Sequence, residues 1–134
     1  MSETKQSFCA HFAKDSTYDA GLRGFFEYRD LGISKATNGA FHAAIGRVKA
    51  GHEGNLDIRT TGMHRHMCDF QMFYVLKGWV TMYYEGEGEL TFHPGDCCMQ
   101  PPGIVHNEIQ CSSDFECLEL YSPAAHDTVQ VEAE

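Results

Sequence analysis

Two histidines, His64 and His66, head an apolar, aromatic-rich run that ends at the turn glycine Gly78. Residues two apart on a strand point to the same face, so this spacing sets the two imidazoles side by side. A buried imidazole has ring nitrogens to satisfy, and one metal ion that draws two rings together satisfies both. Such a pair calls for a third ligand from elsewhere in the chain. His106 is the candidate: Gly95-Asp96 opens a strand, Pro102-Gly103 makes a turn, and His106 starts the strand that follows.

Taken together, the two stretches resemble the two-part signature of the cupins. Its first part falls on His64, His66, Gln71 and Gly78, and its second on Gly95, Pro101, Gly103, His106 and Gln110, with every spacing kept. Three positions depart from the pattern. Ile58 stands where the signature opens with glycine, Gln71 where it has a glutamate ligand, and Gln110 where it has asparagine. Two ordered motifs with turn residues between the histidines are far more specific than a lone H-x-H. The resemblance implies an all-β fold, a double-stranded β-helix or jelly roll, with a metal held by His64, His66, His106 and, more weakly, Gln71.

The rest of the chain reads in keeping with an all-β fold. Residues 1–22 are polar and aperiodic and form an N-terminal arm; residues 23–122 make the barrel; residues 123–134 are a flexible acidic tail. Short strands are expected at 24–33, 41–48, 69–76, 80–84, 90–93, 96–100, 107–109 and 115–121, with a polar loop over 52–61 that includes a possible strand at 56–58. In the second of these, Phe41, Ala43, Ile45 and Arg47 share a face. Many short strands separated by turn residues imply a sandwich or small barrel, and no run suggests a long helix.

At 134 residues the chain fits one domain with one core. Ten Lys and Arg against 19 Asp and Glu give a formal charge of -9, which argues against nucleic acid or an anionic membrane as the main partner. The first residues lack a basic segment followed by an apolar run, and no stretch is long and apolar enough to span a bilayer, so a cytoplasmic protein is expected. The six cysteines are read as reduced, mostly small buried hydrophobes, because the adjacent Cys97 and Cys98 cannot bridge each other without strain and no C-x-x-C pair exists.

Three neutral imidazoles suit Fe(II), Zn, Ni, Mn, Co or Cu, and one divalent transition metal per chain is expected, Fe(II) favoured. An amide at Gln71 in place of a carboxylate leaves the ion its full charge, so the site favours a small anionic, chelating substrate. Resemblance to three-histidine cupin dioxygenases implies oxidative cleavage of an enolisable small molecule or oxidation of a thiol; the alternatives are a lyase or isomerase and a non-catalytic binding or sensor module. Loss of the glutamate also removes a general base, for which Glu108, Glu119, Tyr83 and Tyr84 are candidates, with Gln71, Glu108 and Tyr83 taken as the catalytic set. Arg47 is a candidate clamp for a carboxylate, with a solvent-facing role the plainer reading. Gln110 is a candidate to orient His106. His11, His42, His52, His93 and His126 are not expected to be ligands. A homodimer is expected, with the strand over 24–33 offering an edge for a second subunit or for the arm.

Overall fold

A computed structural model describes residues 5–20, 24–49, 51, 56–58 and 62–131. Two antiparallel sheets face each other. The first has the order β1-β2-β3-β11-β6-β9, from β1 (Asp19–Ala20), β2 (Phe26–Asp30), β3 (His42–Val48), β11 (Glu116–Ser122), β6 (Phe70–Lys77) and β9 (Cys97–Met99). The second runs β12-β5-β10-β7-β8, from β12 (Thr128–Gln130), β5 (His64–His66), β10 (His106–Cys111), β7 (Val80–Tyr84) and β8 (Gly88–Phe92), and β4 (Leu56–Asp57) also pairs with β10. The four-residue α1 (Ile33–Ala36) is the only α-helix among the described residues. This is the expected jelly roll, with consecutive strands alternating between the sheets from β8 to β12. No helix among the described residues is long and apolar enough to cross a membrane.

Turn chemistry sets the strand ends. Pro102 and Gly103 occupy the middle of a turn closed by the Ile104 N–H on the Pro101 carbonyl at 3.1 Å, and Gly103 takes φ +80°, the left-handed value this turn requires of its third residue. Gly78 also has positive φ, +66°, and a Cβ there would collide with Ser112 Oγ, with Asp114 Oδ1 at 2.6 Å and with the Phe115 backbone. The motif glycine therefore lets β6 turn tightly into β7 beneath the loop that follows β10.

The core lies between the sheets. Phe26, Val48, Ile58, Phe73, Val75 and Val80 meet Met82, Tyr84, Cys111, Phe115 and Cys117 there. Ile58 is fully buried, so the residue that replaces the signature's opening glycine serves as a core side chain. Cys68, Cys111 and Cys117 are buried, Cys98 is half-buried, and all six thiols are free, in line with their reading as reduced residues. Burial pushes the Cys111 thiol up to about 12.

Both ends pack on the barrel, and for the tail this changes the expectation. The arm is tied down: β1 pairs with β2, the Ser7 N–H bonds the Ala36 carbonyl at 2.7 Å, and Asn38 Nδ2 bonds the Lys5 carbonyl at 2.8 Å. It thereby covers the β2 edge, one of the two alternatives expected for that edge. The segment read as a flexible tail instead forms β12, which pairs antiparallel with β5 because β5 would otherwise be left with an unpaired backbone edge. The arm–barrel boundary at residue 22 and the loop residue His52 lie outside the described residues.

Tyr84 links the sheets. Its Oη accepts a 2.6 Å bond from Gln100 Nε2, at the end of β9, and a weaker one from the Cys98 thiol. Burial of the phenol pushes its pKa far above the ordinary 10.0. An unfolded tyrosine ionises near that ordinary value while the native one does not, so this contribution to stability is whole below about pH 10 and declines as pH rises above it. Tyr84→Phe strands the buried Gln100 amide, and the expected loss is about 1–3 kcal/mol near neutral pH. Urea unfolding at about pH 8 and again above about pH 10 checks this: the gap to wild type narrows at the higher pH, and an equal gap at both would contradict the assignment.

Candidate metal centre

The three motif histidines converge. His64 and His66 project from one face of β5 with exposed Arg65 between them, and His106, the first residue of β10, lies directly across from His64 in the strand register. The Gly103 N–H donates to the His66 carbonyl at 3.0 Å, so the Pro-Gly turn of the second motif is fastened to the strand of the first. Ring centroids stand 4.3 Å apart for His64 and His106, 5.0 Å for His64 and His66, and 5.1 Å for His66 and His106. One ring nitrogen from each lies within 4.8 Å of the other two, the only such group of His, Cys, Asp or Glu among the described residues.

Hydrogen bonds select the nitrogen that faces the centre. His64 Nδ1 is 2.7 Å from the Gly62 carbonyl and His106 Nδ1 is 3.1 Å from the Ile104 carbonyl. A carbonyl only accepts, so in each neutral ring Nδ1 carries the hydrogen and Nε2 keeps the lone pair. His66 Nδ1 is 2.9 Å from Thr128 Oγ1. His64 is wholly buried, and its Nε2 has no hydrogen-bond partner. An unpartnered buried nitrogen is costly, whereas a lone pair facing two other imidazoles is a ligand. The donor set and the orphaned nitrogen both fit a divalent transition metal. His64, His66 and His106 are positioned to hold one.

The centre opens on a cavity of about 790 Å³ between the sheets. Gln71 lines it from β6, and its Oε1 lies 3.9 Å from the Cys68 thiol, a weak contact. Glu108, two residues beyond His106 on β10, and Glu119 on β11 line it as well. Tyr83 does not join them. It alternates with Met82 and Tyr84 on β7, and Val80 and Met82 reach the cavity while Tyr83 turns the other way. Tyr84, committed to Gln100 with its phenol pKa raised by burial, forms part of the wall behind His106 and is a poor base. Arg47 is not among the cavity-lining residues: it pairs with Glu27 at 2.6 Å and stacks on Tyr18 at 3.4 Å. The orienting contact expected of Gln110 is made at His106 Nδ1 by the Ile104 carbonyl.

Two histidines that the sequence reading set aside also face the cavity. His126 stands edge-on to His66 at 5.8 Å and to Tyr121 at 4.9 Å, and His42 stacks on Tyr121 at 4.7 Å. Neither belongs to the ligand group, but both shape the pocket. Burial lowers the His42 pKa against the opposing pull of Asp30. Alternation along β3 gave a signal for His42, since it lies on the opposite face to Ile45 and Arg47; His126 had none, because it follows Pro123 in sequence that reads as an end.

No curated protein matches the chain in sequence. Residues 57–121 match the family model of the cupin domain. Among solved structures, an RmlC-like cupin from Shewanella frigidimarina is 20% identical, with 90% of this chain and 95% of that one covered at a TM-score of 0.63. KdgF from a Halomonas species is 18% identical over 84% and 93% of the two chains, TM-score 0.58. Oxalate decarboxylase from Bacillus subtilis is 16% identical over 98% of this chain and 33% of its own, TM-score 0.64. At such identities the likeness establishes the fold alone. The chain thus has the cupin fold, and its match to the cupin-domain model spans both histidine motifs.

Proposed function

We propose that this chain is a mononuclear metal-dependent enzyme that acts on a small anionic, enolisable molecule, with oxidative cleavage by dioxygen as its reaction. The observation that carries the proposal is the buried, unpartnered Nε2 of His64, aimed with two further imidazoles at the wall of a small-molecule-sized cavity. A divalent metal there supplies Lewis-acid polarisation and, as Fe(II), activation of dioxygen. His64, His66 and His106 hold it, and Gln71 offers a neutral amide to the same space. Among the described residues no lysine or arginine lines the cavity, so the histidine centre is the natural positive partner for an anionic group. Oxalate decarboxylase, by its name an enzyme of a small anion, shares this fold.

A second reading, proton transfer in a lyase or isomerase, draws support from Glu108 and Glu119, carboxylates inside the cavity where a general base is needed. Oxygen consumption by the iron-loaded protein against a panel of small enolisable acids separates the two. Turnover that stops without oxygen, with one O₂ used per product, is the expected result. Turnover that persists without oxygen and falls about 100-fold or more in Glu108→Gln selects proton transfer instead. In either case Gln71→Glu is expected to alter turnover more than metal content.

The chain is proposed to act as a homodimer. The arm occupies the β2 edge, which moves the candidate surface to the outer face of the first sheet, where Phe70, Tyr74, Leu76 and Met99 expose apolar side chains together on β6 and β9. Analytical ultracentrifugation should give twice the chain mass of 15.0 kDa, reduced to one chain mass by Tyr74→Glu; a wild-type mass of one chain ends the proposal.

A further inference from the structure

The three ligand histidines are not oriented in the same way. His64 and His106 each direct Nδ1 to a main-chain carbonyl two residues upstream, Gly62 and Ile104, so their settings are local to their own strands. His66 directs Nδ1 to a side-chain hydroxyl, Thr128 Oγ1 at 2.9 Å, which lies 62 residues further along the chain. That hydroxyl reaches His66 only because β12 pairs with β5 in a register that sets Thr128 opposite His66 and Gln130 opposite His64. Main-chain bonds flank the pair, from the Met67 N–H to the Asp127 carbonyl and from the Val131 N–H to the Met63 carbonyl, both at 2.9 Å. His126, from the same segment, stands edge-on to the His66 ring.

From this geometry we infer that Thr128 is the positioning residue for His66, and that β12 is thereby a working part of the metal centre. A hydroxyl both donates and accepts, so unlike a carbonyl it can serve either tautomer of His66. When Nδ1–H donates to Oγ1, the Nε2 lone pair is presented to the other two rings, and the ring is held against rotation about its bond to Cβ. An outer contact of this kind typically sets metal affinity by about 10–100-fold. The inference rests on His64, His66 and His106 acting as the metal site. It also gives the C-terminal segment a task that its polar, acidic sequence does not announce.

Thr128→Val keeps the size and β-branching of the side chain and removes the acceptor; Thr128→Ser keeps the hydroxyl; Val129→Ala, one residue along the same exposed strand, is the control for β12 itself. Cobalt(II) titration followed by visible absorption reads both affinity and ligand field. Thr128→Val is expected to bind about 10–100-fold more weakly with an altered spectrum, while Thr128→Ser and Val129→Ala stay within about threefold of wild type. Nitrogen-15 shifts of His66 in the metal-free protein give a second readout, with the tautomer balance moving only in Thr128→Val. Unchanged affinity, spectrum and shifts in Thr128→Val overturn the inference. Failure of wild type to take up cobalt contradicts the metal-site reading, and the metal-free shifts then still decide whether Thr128 holds the ring.

Discussion

A buried imidazole nitrogen with no hydrogen-bond partner is the constraint on which this structure turns. His64 is sealed from solvent, its Nδ1 is committed to the Gly62 carbonyl, and its Nε2 points to a space that it shares with His66 and His106. Leaving such an atom unsatisfied costs on the order of 1–3 kcal/mol, so a fold that keeps it there gains something from it. A metal ion held by the three rings would take that lone pair, and the hydrogen bonds at Nδ1 set the direction of each ring. The arrangement follows from strand parity on β5, the start of β10 opposite His64, and a Pro-Gly turn whose Gly103 N–H is bonded to His66 itself.

The surroundings suit a charged centre beside an apolar core shared by the two sheets. The wall behind His106 is stiffened by Tyr84, whose phenol joins the sheets through Gln100 and whose ionisation is suppressed by burial. Among the described residues no lysine or arginine lines the cavity, and Arg47 is engaged with Glu27 and Tyr18. What remains inside is an amide at Gln71, carboxylates at Glu108 and Glu119, and the rings of His42, Tyr121 and His126. A pocket of that composition suits the proposed chemistry, in which an ion at the histidines would take an anion and the carboxylates would handle protons.

Local chemistry was the legible part of the sequence. Period-two spacing paired His64 with His66, turn residues placed His106, and the same turn signals marked most of the strands, because these features depend on neighbours a few residues away. Long-range pairing was not legible. The end of the chain looked frayed since Thr128-Val129-Gln130 is short and polar, and only the open edge of β5 makes a strand of it. His126 and Thr128 were missed for that reason. Tyr83 was misplaced because Tyr83 and Tyr84 are adjacent, and which of two neighbours faces inward depends on a register that composition leaves undetermined. Arg47 likewise required knowing that Glu27 lies opposite it on β2.

Metal content measured by elemental mass spectrometry, on tag-free protein purified without chelator and alongside a His106→Ala variant, tests the central claim most directly. The account predicts close to one transition-metal ion per wild-type chain and its loss from the variant. Wild-type protein with no metal above background, and none retained after reconstitution with Fe(II), Zn(II), Mn(II), Ni(II), Co(II) or Cu(II), would contradict it.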